Sequence, residues 1–158
     1  MGDMFSTYEG LFKFMEKSVI DVALSKVSEQ VRDIWKQLVE DEFYGKYSPV
    51  EYERSWQSLD SISIIEAKKN GDTYFVSIGY DESKIKEFTY LGKTTGLERV
   101  GHTDISNQGS FIEYGFEMQN GFYREGAHAI DNMIKYIKSD SFTALFNAQV
   151  RKLGYEIK

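Results

Sequence analysis

The sequence predicts an α+β fold, with a long N-terminal amphipathic helix and a C-terminal helix packed on a small, mostly antiparallel sheet. Three observations predict it. Ile20, Ala23, Val27, Val31, Ile34 and Leu38 recur at gaps of three or four, the spacing of one helical face. Two β-rich runs flank Asn70-Gly71, a strong short hairpin signal. Helical spacing then returns near the end in Ala127, Ile130, Ile134 and Ile137. With 158 residues, 41% hydrophobic and 28% charged, the chain has the size and composition of one globular domain. The expected organisation is a single domain over 1–158 with an irregular, glycine-rich insertion at about 81–126.

Ser6-Thr7-Tyr8-Glu9 has capping-box spacing ahead of Leu11, Phe12 and Met15. A second cap, Ser18 to Asp21, precedes the clearer helix, expected over residues 19–44. Lys26, Glu29, Arg32, Asp33, Lys36 and Glu40 supply its polar face, with Trp35 beside the apolar stripe. Gly45 and Pro49 are its stop signals. An aromatic connection over 45–58 leads to a strand from Leu59 to Ile65. After the Asn70-Gly71 turn, Thr73 to Tyr80 reads as the return strand, with Tyr74, Val76, Ile78 and Tyr80 on one face. Ser110 to Met118 alternates well enough to predict a third strand. Beyond it, a break at Ser139-Asp140-Ser141 divides the final helical pattern, which continues in Phe142, Leu145, Phe146 and Val150. Gly154 is placed to follow the last helix, and Tyr155 to Lys158 to add a short strand.

Composition narrows the chemistry. The chain has no cysteine, which excludes disulfides, thiolate metal sites and cysteine nucleophiles. A net charge of −6 argues against tight nucleic-acid binding, which depends on lysine and arginine neutralising phosphates. No apolar run reaches the roughly 18–20 residues of a membrane-spanning helix, and no signal-peptide pattern is present, so an intracellular location is expected. Eleven Tyr, eleven Phe and two Trp make 15% of the chain, and tyrosine favours half-buried contact surfaces.

The candidate catalytic motifs fail on inspection. Gly92-Lys93-Thr94 ends like a phosphate-binding loop, but Glu87 stands where that loop needs its first glycine. His102 and His128 lack partners at metal-ligand spacing, and Gln108-Gly109-Ser110-Phe111 lacks the flanking glycine of a nucleophile elbow. Glu40-Asp41-Glu42 fits a solvated helix end better than an acid–base pair. The expectation is therefore a non-enzyme with no catalytic residues, no cofactor and no metal.

Tyr47, Pro49, Tyr52, Arg54 and Leu59, then the Asn70-Gly71 hairpin, then Val150-Arg151-Lys152-Leu153-Gly154-Tyr155-Glu156-Ile157 follow one another in a recognisable order. In this the chain resembles the tail-completion, or head-to-tail joining, neck proteins of long-tailed bacteriophages. The likeness spans most of the chain, while residues 81–126 match no pattern of that family. The resemblance implies a virion structural protein of the neck or tail, assembled in the host cytoplasm, whose copies form a homo-oligomeric ring, typically sixfold. It implies other head-connector and tail proteins as partners, and DNA passing nearby without specific binding. Tyr47, Tyr52, Arg54 and Trp56 are the expected interface residues, with Arg54 able to pair either with a neighbour's carboxylate or within its own subunit. The alternative is a small-molecule or peptide-binding α+β domain with an aromatic cleft.

Overall fold

A computed structural model describes residues 8–49, 54–71, 73–101, 107–117, 121 and 123–156. It is an α+β structure, as the sequence predicts. The chain divides into two compact units: Met1–Val31 with Ile134–Lys158, and Arg32–Met133.

The N-terminal helix is longer than its apolar stripe suggests. It runs through α1 (Tyr8–Met15), a π-helical turn (Glu16–Ile20), α2 (Asp21–Val39) and a second π-helical turn (Glu40–Tyr44). The backbone is already helical at Ser18, so no helix starts at the second predicted cap, and the Ser6–Glu9 capping box falls largely outside the described residues. Val19, Ala23, Val27, Val31, Trp35, Val39 and Phe43 are buried, in steps of four, and Ser28 is buried beside them. Ile34 and Leu38, expected on the buried face, are half-buried. Trp35 takes the buried position because its indole N–H has an acceptor there, described below.

In the first unit, Val19, Ala23 and Val150 form a small core against which Phe146 and Tyr155 pack. Gln149 on α6 (Asp140–Lys152) donates to the side-chain oxygen of Gln30 on α2 at 3.3 Å. The predicted break at Ser139 separates α5 (Ala129–Ile137) from α6. Gly154 follows α6 with φ +88°, and its N–H donates to Arg151 O at 2.9 Å while Tyr155 N–H reaches Val150 O at 3.4 Å. That bond pair defines a Schellman stop, which needs a left-handed residue. Tyr155 and Glu156 are not in a strand, because Tyr155 turns onto the core instead; residues 157–158 lie outside the described set.

In the second unit, β1 (Ile62–Asn70) and β2 (Thr73–Tyr80) form the predicted antiparallel hairpin, with Asn70 opposite Thr73 and Gly71 at φ +61°. Tyr74, Val76, Ile78 and Tyr80 share its more buried face. β1 begins at Ile62 rather than Leu59, because α3 (Gln57–Asp60) precedes it. A register shift falls between Ile64 and Glu66, leaving Ile65 in the bulge.

The segment from 81 to 126 holds regular elements in place of the expected irregular insertion. β3 (Phe88–Leu91) pairs with β4 (Glu98–Gly101), α4 spans Gln108–Tyr114, and β5 (Gly115–Glu117) pairs with β6 (Tyr123–Glu125). Among the described residues the β component is thus three two-stranded antiparallel hairpins rather than one sheet. The predicted strand at Ser110–Met118 is corrected to α4 followed by the short β5. Its alternation set Phe111 against Ile112 and Glu113 against Tyr114, so neither face was distinctly polar, and the buried pair Ile112 and Glu113 is adjacent in sequence.

Glycine at 126 is a steric requirement: a Cβ there would stand 2.2 Å from Glu113 O and 2.6 Å from Gly115 N. At Gly154 a Cβ would meet open space, leaving only the strain of φ +88°. We predict that Gly154→Ala costs about 1 kcal/mol of stability. Gly126→Ala should cost more than twice that, since backbone atoms must separate. Urea unfolding of both variants measures the contrast.

Candidate functional site

Two clusters concentrate the polar chemistry of the second unit. The first lies at the end of the long helix, where the last carbonyls turn to partners outside the helix; Tyr44 O accepts from Tyr47 N–H at 3.4 Å. Arg54 donates to Tyr44 O at 2.7 Å and Arg124 to Phe43 O at 3.2 Å. Cations suit a helix C-terminus, where the carbonyl dipoles converge.

Each guanidinium is also stacked on aromatic rings. Arg54 lies 5.3 Å from the Tyr44 ring centre and 5.4 Å from that of Trp56, and those two rings are 5.0 Å apart. Arg124 lies 3.8 Å from Phe43 and 4.7 Å from Tyr47. Cation–ring contacts contribute about 0.5–1 kcal/mol when exposed and about 2 when desolvated. Nearby, Lys46 pairs with Glu42 at 3.0 Å and Glu125 at 3.8 Å, and the Glu42 hydrogen bond first, then both charges, raise its pKa.

Of the predicted interface residues, the structure brings Tyr47, Arg54 and Trp56 to this junction. All three make contacts within the chain. Tyr52 lies outside the described residues. Trp56 remains 38% exposed, with a left-handed φ of 59°.

The second cluster centres on Glu113, which is 2% exposed. Its Oε1 accepts from Trp35 Nε1 at 3.1 Å and from the Tyr80 hydroxyl at 2.9 Å, and its Oε2 accepts from Ile130 N at 2.9 Å. The Ile130 N–H belongs to the first turn of α5, where helix donors have no internal acceptor. One side chain on α4 thereby ties together α2, β2 and α5. Backbone bonds reinforce it: Ala127 N–H donates to Ile112 O at 2.7 Å and His128 N–H to Glu113 O at 3.0 Å. The Trp35 and Tyr80 rings meet edge to face at 5.5 Å.

Burial first, and then the Glu113 charge and hydrogen bond, push the Tyr80 phenol far above the usual tyrosine range. A cavity of about 310 Å³ opens beside this cluster, with Tyr80, Ile85, Glu113 and Ile130 in its wall. Gly109 also lines it, pressed so closely on Tyr80 that a Cβ would stand 2.7 Å from the ring.

Trp35, Glu113 and Arg124 are the functional candidates that sequence reasoning missed. Trp35 registered only as a complication of the stripe, and Glu113 as one member of an alternation. Arg124 sits in a glycine-rich stretch with no helical or strand period around it. The Gly92–Gly96 segment is the turn of the β3–β4 hairpin, with Gly96 N–H donating to Gly92 O at 2.7 Å, which is not the strand-to-helix setting of a phosphate loop. His128 is exposed, at φ 50°, just before α5, and His102 lies outside the described residues. Among the described residues, no group of three metal-ligating side chains converges, and no helix is long and apolar enough to cross a membrane.

These features define an α+β protein organised by a buried carboxylate and an arginine–aromatic helix end. The YomN family model matches residues 7–152, and the chain belongs to that family. The family name is associated with phages and prophages, which supports a bacteriophage origin. No curated protein and no solved structure matches the chain.

Removing the Glu113 side chain leaves an indole N–H, a phenol and a helix N–H without their acceptor. Glu113→Ala should therefore cost more than about 3 kcal/mol in urea unfolding, against about 1 kcal/mol for Arg54→Ala. Tyr80 also gives a pH signature. Its raised folded-state pKa means its contribution is intact below pH ~10, the unfolded tyrosine value, and declines as pH rises above it. Stability should fall above pH ~10 by up to about 1.4 kcal/mol per pH unit from this group alone. In Tyr80→Phe that part of the slope should vanish, as measured by unfolding between pH 9 and 11.5.

Proposed function

We propose that the chain is a structural subunit of a phage or prophage particle that works by binding and assembly rather than catalysis. Its proposed place is the head–tail junction or the top of the tail, in a ring of copies contacting connector and tail proteins. The observation that carries this reading is the apolar surface of the three hairpins described. Each holds an apolar side chain in solvent: Phe75 is 46% exposed on the first, Leu91 67% on the second and Tyr123 59% on the third. A two-stranded hairpin standing alone is marginal in water, so further contacts would stabilise it.

The ring reading also draws on the sequence's resemblance to neck proteins and on the family's phage association. Ring contacts are heterologous, joining two different faces, and several separate apolar patches suit them. The net charge of −6 suits a surface past which DNA slides without sticking. A second reading, a small-molecule-binding domain, rests on the cavity beside Glu113.

The test is mass by light scattering, alone and after mixing with particles from the source, with the bound chain located by electron microscopy. The assembly reading expects incorporation at a symmetric collar near the tail. A chain that stays monomeric at high concentration and joins no particle overturns it.

A further inference from the structure

We propose that the cavity beside Glu113 is a binding site for a primary alkylammonium group. The inference stands independently of the assembly reading. The cavity's volume, about 310 Å³, lies at the lower end of the range for small-ligand sites, so it fits a short chain rather than a large molecule. Ile85 is buried, Ile130 half-buried, and with the Tyr80 ring they offer an apolar wall for a methylene stem.

The polar residues of the wall are of one electrostatic kind. Glu113 and Glu82 are both in it, Ser110 adds a hydroxyl, and among the described residues no lysine, arginine or histidine lines it. An anionic ligand would therefore meet two acids and no counter-charge. A carboxylate has about four acceptor positions, and Glu113 has used three on Trp35, Tyr80 and Ile130. The acceptor capacity that remains suits a compact point donor better than a guanidinium fork. Tyr80 and Tyr114 add aromatic side chains to the wall, and aromatic rings attract cations.

Glu82 enters the wall from the turn Glu82–Lys84. Asp81 caps that turn, accepting from Ser83 N at 3.1 Å and Ser83 Oγ at 2.6 Å. Lys84, the nearest cation in sequence, donates to Ser63 Oγ at 2.6 Å and is not part of the wall. The same chemistry can come from two sources, a free small amine or a lysine side chain of another protein.

The experiment titrates n-butylammonium into the full chain and follows the amide resonances of Gly109, Ser110 and Ile130. 1-Butanol is the neutral control of matching size. The expected result is saturable shifts at these amides, with butanol weaker by about tenfold or more, the factor one charge-assisted hydrogen bond supplies. Glu82→Gln should weaken butylammonium several-fold, and Ser110→Trp, filling the mouth from an exposed helix position, should abolish the shifts while the remaining spectrum is unchanged.

A capped lysine, Nα-acetyl-lysine methylamide, separates the sources. Binding as tight as butylammonium assigns the site to a partner's lysine, and exclusion with butylammonium retained assigns it to a free amine. Absence of saturable shifts, an equal response to butanol, or indifference to both variants overturns the proposal.

Discussion

A carboxylate removed from water must find donors or be expelled, and Glu113 finds three, one from each of three separate elements. This constraint orders much of the second unit. It selects tryptophan at position 35, where an aliphatic residue would satisfy the helix pattern but donate nothing. It also positions the Tyr80 hydroxyl at the end of β2 and the first turn of α5. The backbone must come close enough for those bonds, which is why Gly109 lies against the Tyr80 ring and Gly126 against the Glu113 carbonyl. Losing one partner of such a group leaves the others stranded, so the cluster behaves as one unit rather than as three additive bonds.

The helix end obeys a related rule with opposite charge. Two carbonyls at the helix end accept from two guanidiniums, and aromatic rings of the helix end and the connection lie against both. Tyr47, Arg54 and Trp56 all make contacts within the chain, while Trp56 stays 38% exposed. The hairpins add exposed apolar groups of their own, Phe75, Leu91 and Tyr123. On the proposed reading this divides the labour: arginine–aromatic packing fixes where the β-structure begins, and the hairpin faces make the contacts between chains.

Features with a strong local signal were legible in the sequence. The amphipathic stripe, the Asn70-Gly71 turn, the Ser139 break and the Gly154 stop all depend on neighbours within a few residues, and each is present in the structure. What escaped depends on long-range pairing. α4 was read as a strand because apolar residues stand on both sides of its alternation, and its helical state is set by partners 17 to 78 residues away. Short hairpins such as β5–β6, with three residues per strand, carry almost no periodicity of their own. Arg124 gains its role from Phe43, 81 residues earlier, and from Tyr47, pairings that no local pattern announces.

The Glu113 hydrogen bonds hold α4 against β2 and α5, with the cavity beside them. Cross-linking mass spectrometry on assembled particles tests the central claim, that this is a particle subunit joined through its hairpins, most directly. Lys68 and Lys69 on β1 and Lys93 at the β3–β4 turn are the reporters. The account predicts inter-chain links from these lysines to a second copy or to a connector or tail protein. Particles containing the chain but yielding only intrachain links at all three positions would contradict it.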